Sequence, residues 1–114
     1  MGVIRGSKQN EFLPGTLDML VLRTLMRGPM HGYGIAQFIR LRSADVLVIG
    51  EGSLYPALQR MQVKGLISAE WGLSENKRRA RFYRLTRKGE KQLEREVESF
   101  DRVMEAIAHV MLPG

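Results

Sequence analysis

The chain has 114 residues and no cysteine, which excludes disulfide-stabilised folds and thiolate metal sites. Its apolar runs are far shorter than the ~20 residues of a membrane span, and no signal peptide is recognisable, so we expect one cytoplasmic domain. Lysine and arginine number 18 against 12 acids, a net charge of +6. Residues 67–89 hold seven of these bases and two acids, whereas residues 90–114 hold six acids and three bases. One localised electropositive region favours nucleic acid as the partner.

The first half of the chain predicts a flexible arm and two helices. Residues 1–13 show little periodicity, and Thr16 is a good N-cap for the helix that follows. Apolar spacing over residues 17–25 predicts the first helix, which Gly28 and Pro29 end. Residues 31–42 predict the second helix, with His31 in a cap or surface role. The β-branched run at residues 46–49 is typical of a short buried strand.

A third helix is predicted from Ser53, as its N-cap, to Gly65. Proline is tolerated only in a first helical turn, and Pro56 then falls within that turn. The inner face of this helix comprises Leu54, Ala57, Leu58 and Met61, and the outer face Tyr55, Pro56, Gln59, Arg60 and Val63. The outer face is rich in hydrogen-bonding groups and has one formal charge.

Two strand-like segments follow, at residues 67–71 and 81–85, joined by a polar loop over residues 72–80. The densest basic cluster of the chain lies at the far end of this loop: Lys77, Arg78, Arg79 and Arg81. A hairpin with a basic tip after a short helix is typical of the wing of a winged helix-turn-helix protein. Trp71 is expected in the core at the base of this hairpin.

The last helix, predicted over residues 87–111 with Thr86 as its N-cap, has a narrow apolar seam. The seam residues recur with alternating gaps of four and three: Leu93, Val97, Phe100, Met104, Ile107 and Met111. This 3.5-residue repeat is typical of a coiled coil, and the remaining chain offers nothing to cover it. The sequence therefore predicts a homodimer. Acidic residues on the other faces are interpreted as solvated.

Catalytic chemistry is not predicted. The two histidines, His31 and His109, fall on different elements without further ligands, so we expect no metal site. Ser53 has no neighbouring base, and Gly50-Glu51-Gly52 lacks the third glycine and the βαβ context of a dinucleotide site. We expect no enzyme activity and no cofactor.

Three helices and a basic hairpin instead predict binding of double-stranded DNA, with the third helix in the major groove. The recognition helix would contact DNA through Ser53, Tyr55, Pro56, Gln59 and Arg60. The wing would contact phosphates or a narrow minor groove through Lys77, Arg78, Arg79 and Arg81.

Several alternatives stay open at this point. The basic cluster could simply keep an exposed hairpin soluble, and the ring of Tyr55 could pack against the wing rather than contact DNA. A protein–protein adaptor whose basic hairpin docks an acidic partner is the second functional hypothesis. RNA binding is a third, although the sequence lacks an evident aromatic platform for single strands.

Segments across residues 13–111 together resemble the PadR family of bacterial transcriptional regulators. They are Leu13-Pro14-Gly15-Thr16-Leu17, His31-Gly32-Tyr33-Gly34-Ile35, Gly52-Ser53-Leu54-Tyr55-Pro56-Ala57-Leu58-Gln59-Arg60-Met61, Lys64-Gly65-Leu66-Ile67 and Arg79-Ala80-Arg81-Phe82-Tyr83-Arg84-Leu85-Thr86-Arg87-Lys88-Gly89. The resemblance implies a homodimeric winged-helix repressor of dyad-symmetric promoter DNA, which a small-molecule effector releases in many members.

The expected fold is mainly α with a small β hairpin, in the short form of this family with a single C-terminal helix. We expect a flexible arm over residues 1–13, a winged-helix DNA-binding domain over 14–86 and a dimerisation helix over 87–114. In some short members, aromatic residues of the last helix line a drug-binding pore at the dimer centre. Phe100 stands near that position without a tryptophan, and we favour seam packing for it.

Overall fold

The computed structural model describes residues 15–114, so the predicted arm lies outside it. Within this range the elements are α1 (Thr16–Leu25), β1 (Met30–His31), α2 (Gly32–Arg42), α3 (Glu51–Val63), β2 (Ile67–Leu73), β3 (Arg79–Leu85) and α4 (Arg87–Met111). The predicted class is confirmed: helices dominate, a small antiparallel sheet follows α3, and a long helix ends the fold. No helix of the described range has the length and hydropathy of a membrane span.

The helix starts differ from the prediction at two of four positions. The N-cap of α1 is Gly15, and Thr16 is already helical. The N-cap of α3 is Gly50, in an extended conformation, so the prediction of Ser53 as its cap is wrong. Pro56 consequently sits beyond the first turn, where its missing N–H leaves the carbonyl of Gly52 without its helical donor. Gly52 is exposed, so water can satisfy that carbonyl.

The other two helix starts match the sequence. The Nδ1 atom of His31 accepts a hydrogen bond from the backbone N–H of Gly34 at 3.0 Å and caps α2, as the prediction of a cap role allowed. Thr86 caps α4 by accepting from the N–H of Gly89 at 3.0 Å, as predicted.

The strand predicted at residues 46–49 is wrong. The segment is irregular because the chain turns after α2 through two residues with positive φ, Ala44 at 53° and Asp45 at 66°. Ile49 alone is buried there and anchors the segment to the core. The third strand is instead the short β1, which pairs with β3 and gives the sheet order β1-β3-β2.

The hairpin of β2 and β3 is longer than predicted. Its register runs from Ile67 opposite Leu85 to Leu73 opposite Arg79, which leaves residues 74–78 as the connecting loop. The core lies below the base of this hairpin, where the inner faces of α1, α2 and α3 meet. Its fully buried side chains include Val21, Leu22, Ile35, Leu54, Leu58, Met61 and Ile67.

A single residue, Thr86, joins β3 to α4. Its hydroxyl lies 2.7 Å from the carbonyl oxygen of Gly65 and 2.9 Å from that of Leu66, and its backbone N–H donates to Leu66 as well. A Cβ at Gly89 would collide with the Leu66 carbonyl oxygen, so only glycine allows α4 to begin this close to the end of α3. The junction holds β3, the end of α3 and the start of α4 together.

Candidate nucleic-acid interface

Helix α3, the predicted recognition helix, has one buried and one exposed face, as predicted. Leu54, Ala57, Leu58 and Met61 enter the core with 2% exposure or less. On the opposite side the predicted DNA-contacting residues Tyr55, Pro56, Gln59 and Arg60 are exposed, whereas Ser53 is half-buried. The exposed face therefore presents an amide, a guanidinium and a phenol, which are groups that read base edges or phosphates.

Arg60 is engaged within the protein. Its Nη2 atom lies 2.6 Å from Oδ1 of Asp18, in the first turn of α1. This ion pair links α3 to α1 and occupies part of the Arg60 guanidinium. Gln59 makes no such side-chain bond among the described residues and is the freer of the two predicted contacts.

Tyr55 packs against the start of α2. A Cβ built on Gly32 would lie 2.6 Å from the Tyr55 hydroxyl oxygen, so the ring rests on the glycine backbone. Its exposed fraction is 42%. Burial raises the pKa of the Tyr55 phenol above its ordinary value, with smaller contributions from Glu51 and Tyr83, so the hydroxyl stays protonated and can donate a hydrogen bond.

The wing carries free cations at its tip. Lys77, Arg78 and Arg79 are exposed, and no ion pair involves them among residues 15–114. The tip is ordered by backbone bonds between Ser74 and Lys77 and between Ser74 and Arg78, and Lys77 adopts a φ of 60°. These bonds fix the backbone of the turn from which the cationic side chains extend.

Arg81 ties the wing to the recognition helix. It is half-buried, and its Nη2 donates to Oε1 of Gln62 on α3 at 3.4 Å, whereas its buried Nε has no hydrogen-bond partner among the described residues. The four predicted wing residues therefore fall into two groups: Lys77, Arg78 and Arg79 have no ion pair among the described residues, and Arg81 is held against α3.

The prediction for Trp71 is wrong. Trp71 is 58% exposed rather than part of the core. Ile67 is buried and Ala69 half-buried on the same side of β2, but the core ends there, and Trp71 extends beyond it into the wing. The guanidinium carbons of Arg79 and Arg81 lie 4.7 and 5.6 Å from the centre of its ring. Trp71 therefore lies past the point on β2 where the core stops.

A cleft of about 720 Å³ separates the wing from the starts of α2 and α3. It is lined by aromatic rings and hydrogen-bonding or cationic groups that include His31, Tyr33, Gln37, Tyr55, Trp71 and Arg79. A face of hydrogen-bonding side chains beside a cationic rim is complementary to the edge of a groove and the phosphates that border it.

The seam on α4 is divided between the core and the surface. Leu93 is buried in the core of its own chain, so the uncovered part of the seam begins at Val97. Val97, Phe100, Met104, Ile107 and Met111 stay exposed, between 37% and 74%. Val103 and Val110, also exposed, widen the stripe on one side. An apolar stripe of this length on a single helix is the kind of surface that a partner covers.

A family model described as the transcriptional regulator PadR-like family matches residues 21–95. The fold is similar to that of a transcriptional regulator from Clostridium thermocellum, with 31% identity, a TM-score of 0.79 and coverage of 86% of this chain and 95% of that one. A PadR family transcription regulator from Clostridium difficile has 28% identity and a TM-score of 0.72, covering 84% and 98%.

A Lysinibacillus sphaericus protein described as uncharacterised is 30% identical over 99 residues, which are 87% of this chain and 91% of that protein. The two structural relatives and the family are described as transcriptional regulators, which confirms the prediction that the chain is not an enzyme.

Proposed function

The chain belongs to the PadR-like family of transcriptional regulators, and we propose that it represses transcription as a homodimer bound to dyad-symmetric promoter DNA. The observation that carries this proposal is that the chain exposes two surfaces of different chemistry, a polar and cationic one suited to DNA and an apolar one suited to a second copy of the chain. Tyr55 of α3 and the wing cations Arg78 and Arg79 border one cleft, while the uncovered apolar stripe lies on α4.

In the proposed complex, α3 enters the major groove and the wing follows the adjacent backbone. Gln59 has both an amide donor and an acceptor free for a base edge, and Tyr55 has a protonated hydroxyl. Lys77, Arg78 and Arg79 would neutralise phosphates in any sequence. Recognition of sequence would therefore come from α3, and most of the affinity from the wing.

The proposed dimer forms through α4. The stripe from Val97 to Met111 spans about two heptads, and a second copy related by a two-fold axis presents the same stripe. Two recognition helices related by that axis meet half-sites one helical turn, ~34 Å, apart. Half-sites that form an inverted repeat in the operator then follow from the two-fold symmetry of the protein.

We also propose that the protein acts in the cytoplasm and that a small molecule releases it from DNA, as the family resemblance implies. The cavity beside Phe100 supports only part of this proposal. It measures about 90 Å³ between α1 and α4 in a single chain, whereas pockets that bind drug-sized ligands measure roughly 300 Å³ or more. A ligand at this position would need further walls from the second copy.

The experiment that tests the proposal is a binding selection from a random double-stranded DNA pool. A dyad-symmetric motif with half-sites one turn apart is expected, and repression of a reporter placed behind that motif would support the repressor role. Enrichment of no sequence, together with shallow salt dependence on random duplex, would contradict the proposal and favour an adaptor whose wing docks an acidic protein.

A further inference from the structure

The indole of Trp71 forms a stack with two cations on the side of the wing that faces the cleft. In the hairpin register Trp71 stands opposite Arg81, and Leu73, two residues on, stands opposite Arg79. Since side chains two residues apart share one face of a strand, all four project from the same face. This face is continuous with the buried base of the hairpin and borders the cleft.

Stacking fixes a guanidinium without using its hydrogen-bond donors. The cation interacts with the face of the indole, and the N–H groups of arginine lie in the guanidinium plane, so a guanidinium parallel to the ring keeps its donors directed away from it. Arg79, 4.7 Å from the ring centre, has no ion pair in the part of the chain that the structure describes. Its donors are therefore held in place and unused.

Exposure of the indole also needs a physical reason. Trp71 is 58% exposed on a chain that holds a single tryptophan, and it contributes little to the core. An exposed aromatic ring beside unused cations is typical of a surface that becomes covered when a partner binds.

We propose that Trp71 is a positioning residue of the DNA interface. It holds Arg79 in the conformation in which its guanidinium meets a backbone phosphate, and the indole itself is covered by the sugar–phosphate backbone when duplex DNA enters the cleft. This inference rests on the proposed DNA binding and adds to it a residue on the wing that carries no charge.

The test combines fluorescence with a double-mutant cycle on random-sequence duplex. Because Trp71 is the single tryptophan, its emission reports this site directly, and we expect a change in intensity when duplex is added. Trp71→Leu should weaken binding about three- to tenfold in the Arg79 background, the range of one exposed to partly desolvated cation–π contact. In an Arg79→Ala background the same substitution should have a clearly smaller effect, because only the contact of the indole itself and its contact with Arg81 remain to be lost.

Two further variants separate positioning from folding. Trp71→Phe retains a ring and should bind with intermediate affinity, since the phenyl face attracts cations less strongly than indole. Leu41→Ala removes another exposed apolar side chain, on α2 and outside the cleft, and should leave binding unchanged. The urea midpoint should not move in any of these variants, since both residues are largely exposed.

The inference would be overturned if the emission of Trp71 did not respond to duplex, or if Trp71→Leu weakened binding equally with and without Arg79. Those outcomes, in a wild-type protein that binds duplex, leave the proposed function intact. Failure of the wild-type protein to bind any duplex would instead overturn both.

Discussion

The guanidinium of Arg60 on α3 lies 2.6 Å from the carboxylate of Asp18 on α1, and this is the direct ion pair between the recognition helix and the first helix. Asp18 stands in the first turn of α1, where a negative charge also complements the helix dipole. The recognition helix is thus supported on two sides, by α1 through Arg60 and by the start of α2 through Tyr55.

The Arg60–Asp18 pair should contribute modestly to stability. Arg60→Ala and Asp18→Ala should each lower the free energy of unfolding by about 0.5–1 kcal/mol, because half-exposed ion pairs are screened by solvent. The double variant should lose less free energy of unfolding than the sum of the two single losses. Urea denaturation of the wild type, the two single variants and the double variant measures this difference. Strictly additive losses would mean that each side chain acts through other contacts.

Gly32 should be required for the position of Tyr55. Gly32→Ala places a methyl group 2.6 Å from the Tyr55 hydroxyl oxygen and displaces the ring, so we expect a loss of about 1 kcal/mol in stability and weaker duplex binding. In a Tyr55→Ala background the clash is gone, and Gly32→Ala should become stabilising through helix propensity.

Gly52→Ala is the matched control for this prediction, because a Cβ at Gly52 meets open space within α3. It should stabilise the protein by up to about 1 kcal/mol, whether Tyr55 is present or not. Thermal unfolding of Gly32→Ala and Gly52→Ala, each with Tyr55 present and with Tyr55→Ala, distinguishes a steric effect at Gly32 from the general effect of alanine in a helix.

Loss of wing cations should weaken binding to every duplex. Arg78→Ala combined with Arg79→Ala should lower affinity uniformly and reduce the slope of log K against log salt by about one for each lost phosphate contact. The charge-matched control is Lys91→Ala with Arg102→Ala, two exposed cations on the outer faces of α4. Equal losses in the two double variants would indicate a general charge effect rather than a wing contact.

Gln59→Ala should behave differently from the wing variants. It removes an uncharged donor and acceptor from the exposed face of α3, so binding to the selected motif should weaken by about 1–3 kcal/mol while binding to scrambled duplex stays the same. Competition between the two duplexes measures the ratio directly. An unchanged ratio would show that Gln59 does not read a base.

Substitutions in the exposed part of the α4 seam and in the core should have different effects. Met104→Glu places a charge in the exposed stripe, so we expect folded monomers by light scattering and poor operator binding. Leu93→Ala, in contrast, opens a cavity in the core of each chain and should cost about 2–5 kcal/mol of stability. An intact Met104→Glu dimer would contradict the assignment of the stripe, and Arg102→Glu provides the control for added charge on the opposite face.

The helices of this fold could be predicted from sequence because their signals are periodic and local. The full extent of α4, its cap at Thr86 and the inner face of α3 follow directly from apolar spacing and capping chemistry. The wrong predictions concern positions where the local sequence is compatible with more than one secondary structure. Ser53 is a better cap by type than Gly50, and the β-branched run at residues 46–49 has strand propensity but adjoins no strand of the sheet.

Features that depend on contacts between distant residues could not be predicted in this way. The two-residue strand β1 exists only because β3 lies beside it, and no pattern of two residues could indicate that. The Arg60–Asp18 pair joins residues 42 positions apart. Predicting the contact of Trp71 with Arg79 and Arg81 would have required the register of the hairpin and the point at which the core ends. Without that information, a tryptophan in a strand-like segment is expected to be largely buried.

The one-residue connection at Thr86 has a mechanical consequence for the proposed dimer. Because β3 passes directly into α4, the wing and α4 should keep a fixed orientation relative to each other. In the proposed dimer, the distance between the two DNA-binding domains then depends on the angle at which the paired α4 helices cross. One residue inserted after Thr86 would rotate the apolar stripe by about 100° relative to the wing. The length of this connection therefore helps to determine which spacing of operator half-sites the proposed dimer can bind.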